Sequence, residues 1–210
     1  MIYLASTSPR RKALLKKAGI PFRALRPAYE EDNRLKAPPS KLVQIHALRK
    51  AESCVRLVRD GTLLAADTVV YLQGEIIGKP KNRKEARQIL EKLQGTRHSV
   101  YTGVAILKVA SGRVTKKFVF FEKTVVRLKA FTNKGIEGYL KKVNPLDKAG
   151  AYAIQSPHSG IVQEVKGLFS NAVGLPIEKI LKKLRRTLSV SCESRPRQAV
   201  GRDGEGTPSA

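Results

Sequence analysis

One carboxylate stands inside an otherwise uncharged and largely apolar run, Leu63-Leu64-Ala65-Ala66-Asp67-Thr68-Val69-Val70-Tyr71-Leu72. Ten residues rich in β-branched types predict a central strand buried on both faces. An isolated charge in such surroundings is strongly disfavoured, so Asp67 must be paired, metal-bound or protonated. At a strand end facing a cleft it can bind a divalent cation or accept a proton from water. In a purely structural role it would instead accept hydrogen bonds from backbone amides at the strand terminus.

The rest of the chain is read around that strand. Ile2 to Ala5 is a short apolar run suited to a buried first strand, followed by Ser8 as a helix cap and Pro9 as the first helical residue. Ala13, Leu14, Leu15 and Ala18 supply that helix with an apolar face, and Gly19 ends it. Phe22 to Leu25 predicts a second strand. A second helix is expected from a Ser40 cap, through Val43, Ala47, Ala51, Cys54, Val55 and Val58, to Gly61. Asn82 with Glu85 reads as a capping box for a third. Val100 to Val109 and Val114 to Leu128 predict a hairpin turning at Ser111-Gly112. Thr132 to Val143 predicts a helix, Ile161 to Val165 a strand and Pro176 to Leu184 a closing helix. Strands interleaved with helices, plus one hairpin, give an α/β fold with a mixed sheet. The expected domain covers residues 1–186. From Thr187 to 210 periodicity is lost and Ser, Gly, Pro and Arg accumulate, which predicts a disordered tail.

Composition excludes several classes. No apolar run approaches the roughly 20 residues needed to cross a bilayer, so no membrane association is expected. The N-terminus shows no secretory pattern, which makes the cytoplasm the expected compartment. Two distant cysteines, Cys54 and Cys192, and three scattered histidines argue against a disulfide framework or a zinc site. Lys and Arg number 41 against 17 Asp and Glu, a formal charge of +24, which points to a polyanionic partner. Nucleic acid is one such partner, but with no Trp and most aromatics inside apolar runs it is not favoured over a nucleotide.

The segment Ser6-Thr7-Ser8-Pro9-Arg10-Arg11 places hydroxyls and two guanidinium groups where a strand gives way to a helix N-terminus, an arrangement that suits polyphosphate. It can equally be an ordinary capped helix with solvated arginines, and it lacks the Gly-rich stretch of a Walker loop. Glu30 or Glu31 could complete a metal site or lie in a solvated loop. Lys50 and Lys79 could each neutralise phosphate. Asp147 to Gln155 mixes small and polar residues, as loops lining ligands do, while Gly167 to Pro176 reads as a structural connection.

Six ordered motifs resemble the Maf family of nucleotide pyrophosphatases. They are Leu-Ala-Ser-Thr-Ser-Pro-Arg-Arg at 4–11, Ala-Asp-Thr-Val-Val at 66–70, and Gly-Glu-Ile-Ile-Gly-Lys-Pro at 74–80. Leu-Gln-Gly-Thr-Arg-His-Ser-Val-Tyr-Thr-Gly-Val-Ala follows at 93–105. Pro-Leu-Asp-Lys-Ala-Gly-Ala-Tyr-Ala-Ile-Gln at 145–155 and Ser-Asn-Ala-Val-Gly-Leu-Pro at 170–176 complete the set, which covers residues 2–185. The resemblance implies a two-lobed mixed-sheet fold similar to inosine triphosphate pyrophosphatases, with the active site in the central cleft. It implies hydrolysis of a nucleoside triphosphate to the monophosphate and pyrophosphate, with magnesium or manganese as cofactor and a homodimer as the assembly.

By the same resemblance Asp67 is the catalytic acid residue and, with Glu31, a metal ligand. Ser6, Arg10, Arg11, Lys50 and Lys79 surround the phosphates. Arg10, Thr68 and Gln155 match the branch that prefers dTTP and UTP over the one that prefers 7-methyl-GTP, and the Gln155 amide suits the imide edge of uracil or thymine. After Gln155 the chain reads Ser-Pro-His-Ser where members carry a Gly-rich turn. The rival expectations are a 7-methyl-GTP or broad-specificity pyrophosphatase, and a nucleic-acid-associated regulator of cell division without significant turnover.

Overall fold

The computed structural model describes residues 1–32, 35–154 and 160–189, with side chains as far as Arg185. The chain divides into two compact units, Met1–Ile177 and Glu178–Ala210. In the first unit the strands are β1 (Ile2–Ala5), β2 (Phe22–Leu25), β3 (Gly61–Leu72), β4 (Glu75–Ile77), β5 (Arg97–Ala110), β6 (Arg113–Leu128) and β7 (Val162–Lys166). The helices are α1 (Pro9–Lys17), α2 (Pro39–Glu52), α3 (Arg83–Leu93), α4 (Asn133–Lys142) and the short α5 (Phe169–Val173). The last helix is α6 (Ile177–Ser189), and the described part of the second unit is its stretch from Glu178 onward. Its residues Ile177, Ile180, Leu181 and Leu184 recur at helical spacing between lysines and arginines. The tail expected from Thr187 lies, from residue 190 onward, outside the described residues.

The strands form one mixed sheet in the order β2-β1-β3-β5-β6-β7, with β4 also paired to β3. β1 runs parallel to β2 and β3, and the other pairs are antiparallel. The α/β class and the mixed sheet are as the residue pattern predicts. Several local expectations are corrected. Pro38 occupies the N-cap position of α2 and Ser40 lies inside the helix, because Pro39 supplies a first residue that has no N–H to satisfy. Gly61 does not end α2. The helix stops at Glu52, a 3-10 turn follows at Val55–Leu57, and Gly61 opens β3. Beyond β3, Gln73 and Gly74 adopt φ of 47° and 91°, and the chain folds back into β4 as a tight hairpin. Asn82 caps α3 by accepting from the Glu85 N–H at 2.9 Å, while the Glu85 carboxylate takes the N–H of Lys81 at 2.7 Å.

The pairing of β3 positions everything that follows. One edge of β3 is bonded to β5 from Gly61 to Tyr71. The other edge meets β1 only at Thr62, Leu63 and Leu64, and meets β4 only from Val70. Asp67 and Thr68 fall in the interval between them, where neither β1 nor β4 covers the strand. Side chains alternate across a sheet, so Asp67 and Thr68 point to opposite faces. Asp67 pairs with Gly103 of β5 and Thr68 with Thr102.

Two clusters of buried side chains hold this frame. One packs Ala47, Ala51 and Cys54 with Ala65, Ala105 and Leu107, and the alanines among them let the helix approach the sheet closely. The other gathers Val70, Leu90, Val126, Leu128, Ile136 and Tyr152. Among the described residues no helix is long and apolar enough to cross a membrane.

Candidate active site

β1 ends at Ala5 and the chain turns through Ser6-Thr7-Ser8, where the Ser8 N–H donates to Ser6 Oγ at 3.2 Å. Ser8 takes the N-cap position of α1, but its hydroxyl makes no cap bond and Pro9 has no N–H. The two arginines that follow are aimed by partners far along the chain. Arg10 donates to Asp147 Oδ2 at 3.0 Å and to the Asp147 carbonyl at 2.9 Å. Arg11 donates through Nε to the Gly174 carbonyl at 2.9 Å, through Nη1 to Ser6 Oγ at 3.3 Å and through Nη2 to Thr68 Oγ1 at 3.1 Å. Burial lowers the pKa of both guanidinium groups; Asp147 works against this at Arg10, and Asp67 and Glu31 work against it at Arg11.

On the other face of the sheet, Asp67 is almost wholly buried, at 3% side-chain exposure. It is paired: Lys50 of α2 donates to Asp67 Oδ1 at 2.7 Å and also bonds Glu31 Oε1. Lys79 Nζ stands 3.9 Å from the same Glu31 oxygen. Burial on its own would raise the Glu31 pKa. The charges of Lys50, Lys79 and Arg11 and the hydrogen bond from Lys50 outweigh it and hold the carboxyl at about 2. Glu31 is thus the member of the Glu30-Glu31 pair that joins the site. The loop carrying it is docked on α2 twice, because Tyr29 Oη lies 2.8 Å from His46 Nδ1, one helical turn from Lys50.

These side chains line one cavity of about 290 Å³. Ser6, Arg10, Arg11, Glu31, Lys50, Asp67, Thr68 and Lys79 all reach it. Gln155 lies outside the described residues, and the wall can be followed as far as Ala153 and Ile154. Six cationic side chains (Arg10, Arg11, Arg26, Lys50, Lys79, Lys148) face three carboxylates (Glu31, Asp67, Asp147), an excess of positive charge suited to a polyanion.

Other wall residues carried weak signals or none in the sequence. Arg26 and Tyr29 have no motif around them. Asp147 and Lys148 belong to the loop read as ligand-lining; Asp147 orients Arg10, and Lys148 donates to the Asp147 carboxylate. The segment read as a structural connection forms α5, and Ala172, Val173 and Gly174 from its end line the cavity. The apolar end is held by two tyrosines. Tyr139 Oη accepts the Ala153 N–H at 2.8 Å and Tyr152 Oη bonds His98 Nε2 at 2.8 Å; burial is the largest influence raising both phenol pKa values, that of Tyr139 to about 12.

Among the described residues no three His, Cys, Asp or Glu side chains gather into a metal cage. The donor set still fits a divalent cation that arrives with phosphate. Asp67 Oδ2 is buried and unpartnered, and Glu31 stands on the same lysine. Magnesium is commonly held by one or two carboxylates, with water and substrate oxygens completing its shell.

A family model described as Maf-like protein matches residues 1–187. The chain is 39% identical over 185 residues to a dTTP/UTP pyrophosphatase of Pelotomaculum thermopropionicum, covering 88% of this chain and 95% of that protein. It is 40% identical over 185 residues to a dTTP/UTP pyrophosphatase of Bacillus anthracis, covering 88% and 94%. Among solved structures it is similar to the Staphylococcus aureus Ham1 protein, with 16% identity, coverage of 90% and 98%, and a TM-score of 0.46.

Proposed function

The chain belongs to the Maf-like family, and from that premise we propose that it hydrolyses dTTP and UTP to the monophosphate and pyrophosphate. The observation that carries the reading is the shared cavity. A carboxylate with one oxygen pinned and the other unpartnered faces the same space as two oriented guanidinium groups.

In this mechanism Lys50 fixes Asp67 through Oδ1, which leaves Oδ2 to accept a proton from water. The water oxygen bonds to the α-phosphorus as the bridging bond to the β-phosphate breaks, and pyrophosphate departs. Arg10, Arg11 and Lys79 bind the phosphates and neutralise charge on the leaving group, while Ser6 offers its hydroxyl. Asp67 and Glu31 would hold magnesium or manganese, whose chemistry when bound is to polarise a phosphoryl oxygen and offset its charge. Tyr152, Ala153 and Ile154 bound the end of the cavity where the base would lie, and Gln155 follows them in the sequence.

The pyrimidine preference is supported by the names of the relatives and by the set Arg10, Thr68 and Gln155. The substrate pool would be cytoplasmic. The test is pyrophosphate release from dTTP, UTP, CTP and 7-methyl-GTP with magnesium or manganese. Turnover of dTTP and UTP well above the others is expected. Preference for 7-methyl-GTP would overturn the substrate assignment. Salt-sensitive nucleic-acid binding without any hydrolysis would favour the regulatory alternative.

A further inference from the structure

Behind Arg11, on the sheet face opposite Asp67, the hydrogen bonds have only one consistent direction. Thr102 Oγ1 lies 3.1 Å from the carbonyl oxygen of Asn171, which can only accept, so the single hydroxyl proton of Thr102 is committed there. Thr68 Oγ1, 3.1 Å from Thr102 Oγ1, must therefore donate to it. Arg11 Nη2 in turn donates to Thr68 Oγ1. The end of this line is itself tied down. Asn171 Nδ2 donates to Thr124 Oγ1 at 3.0 Å and to the Val100 carbonyl at 3.3 Å, and both Thr102 and Asn171 are fully buried.

We propose that Thr102 and Asn171 are positioning residues for Arg11, acting through Thr68, and that Thr68 reaches a phosphate only by way of Arg11. A phosphate oxygen requires a donor, and the one proton of Thr68 is already engaged. Ser6 differs: its oxygen accepts from the Ser8 N–H and from Arg11, and its own proton remains for a ligand. Of the five N–H groups of Arg11, three are held by Gly174, Ser6 and Thr68. The two that remain sit one on each terminal nitrogen and are left to donate to phosphate oxygens. The inference rests on the phosphate-binding role proposed above for this cavity.

The test uses Thr102→Val, which keeps shape and removes the hydroxyl, and Thr102→Ser, which restores it. Solvent exchange of the Arg11 Nη2 protons in the ¹⁵N-labelled full chain, the nitrogen that Thr68 holds, reads positioning without any nucleotide. We expect exchange about tenfold faster in the Val variant and a return to near the wild-type rate in the Ser variant, a scale set by leaving the Thr68 hydroxyl without its buried acceptor. Binding of a non-hydrolysable α,β-imido UTP should weaken about tenfold in Thr102→Val, with UMP binding unchanged, and the substitution should add nothing in an Arg11→Ala background. If Thr102→Val does not fold, Thr68→Ala breaks the next link and should speed the same exchange. Unchanged Arg11 exchange overturns the inference, as does an equal loss of analogue binding in the Arg11→Ala background. Faster exchange in a protein whose wild type binds no triphosphate upholds the positioning and overturns the proposed function instead.

Discussion

Gly103 of β5 lies against the backbone of Val43 in α2: a Cβ placed on Gly103 would stand 2.2 Å from the Val43 carbonyl oxygen. Gly103 is also the cross-strand partner of Asp67. The missing side chain therefore lets α2 lie on the sheet beside the carboxylate, so that Lys50 can reach Asp67 Oδ1.

Gly103→Ala should separate α2 from the sheet. The contact is with backbone atoms, which cannot rotate away, so we expect a loss of about 3 kcal/mol, the upper part of the overpacking range. Urea denaturation measures the loss, and hydrolysis should fall with it. A variant as stable and as active as wild type would show that this contact does not set the position of α2.

Asp67→Asn retains the shape of the side chain and removes the proton acceptor. Turnover of dTTP is expected to fall about a hundred- to ten-thousand-fold, with the affinity for a non-hydrolysable analogue within a few-fold of wild type. Full activity in this variant would remove Asp67 from the role of base.

Lys50→Met leaves Asp67 buried without its counter-charge. Removing one member of a buried pair costs about 3–5 kcal/mol, and a matching fall in unfolding free energy is predicted at pH 7. Magnesium should restore part of that loss, since a cation would satisfy the same carboxylates. A loss below about 1 kcal/mol, the scale of an exposed pair, would contradict the burial seen here.

The pH dependence of stability should carry the mark of His98. Burial lowers its pKa from 6.5 to about 4. Between these values the unfolded chain holds the proton and the native state does not, so stability falls as the pH drops through that window. The separation corresponds to about 3 kcal/mol, and His98→Phe should flatten this part of the profile. At lower pH a second loss is expected from Glu31. Its carboxyl is held at about 2, below the ordinary 4.5, so its stabilisation is present above 4.5 and is lost as the pH falls toward 2. Glu31→Gln should remove that component alone. Unfolding midpoints measured from pH 7 to pH 2 separate the two.

Much of the architecture follows from local pattern. A continuous apolar run marks β3, apolar strand runs mark the β5–β6 hairpin and a capping box marks α3, because strand and helix geometry are short-range properties of the chain. The demand that Asp67 find a partner is equally local, since one charge among ten mostly apolar residues has nowhere else to go. Which partner it finds is a different matter. Nothing in a chain with 41 basic residues marks Lys50 as the partner of Asp67 until α2 comes to rest on Gly103. The interval in β3 pairing that opens the cavity depends on where β1 stops and β4 begins, both set by register rather than by residue type. The end of α5 aims Arg11 through a carbonyl, that of Gly174, and a backbone acceptor leaves no trace in residue identity. Patterning settles the elements and the need for a counter-charge; tertiary packing selects the partners, because those contacts join residues that no local periodicity relates.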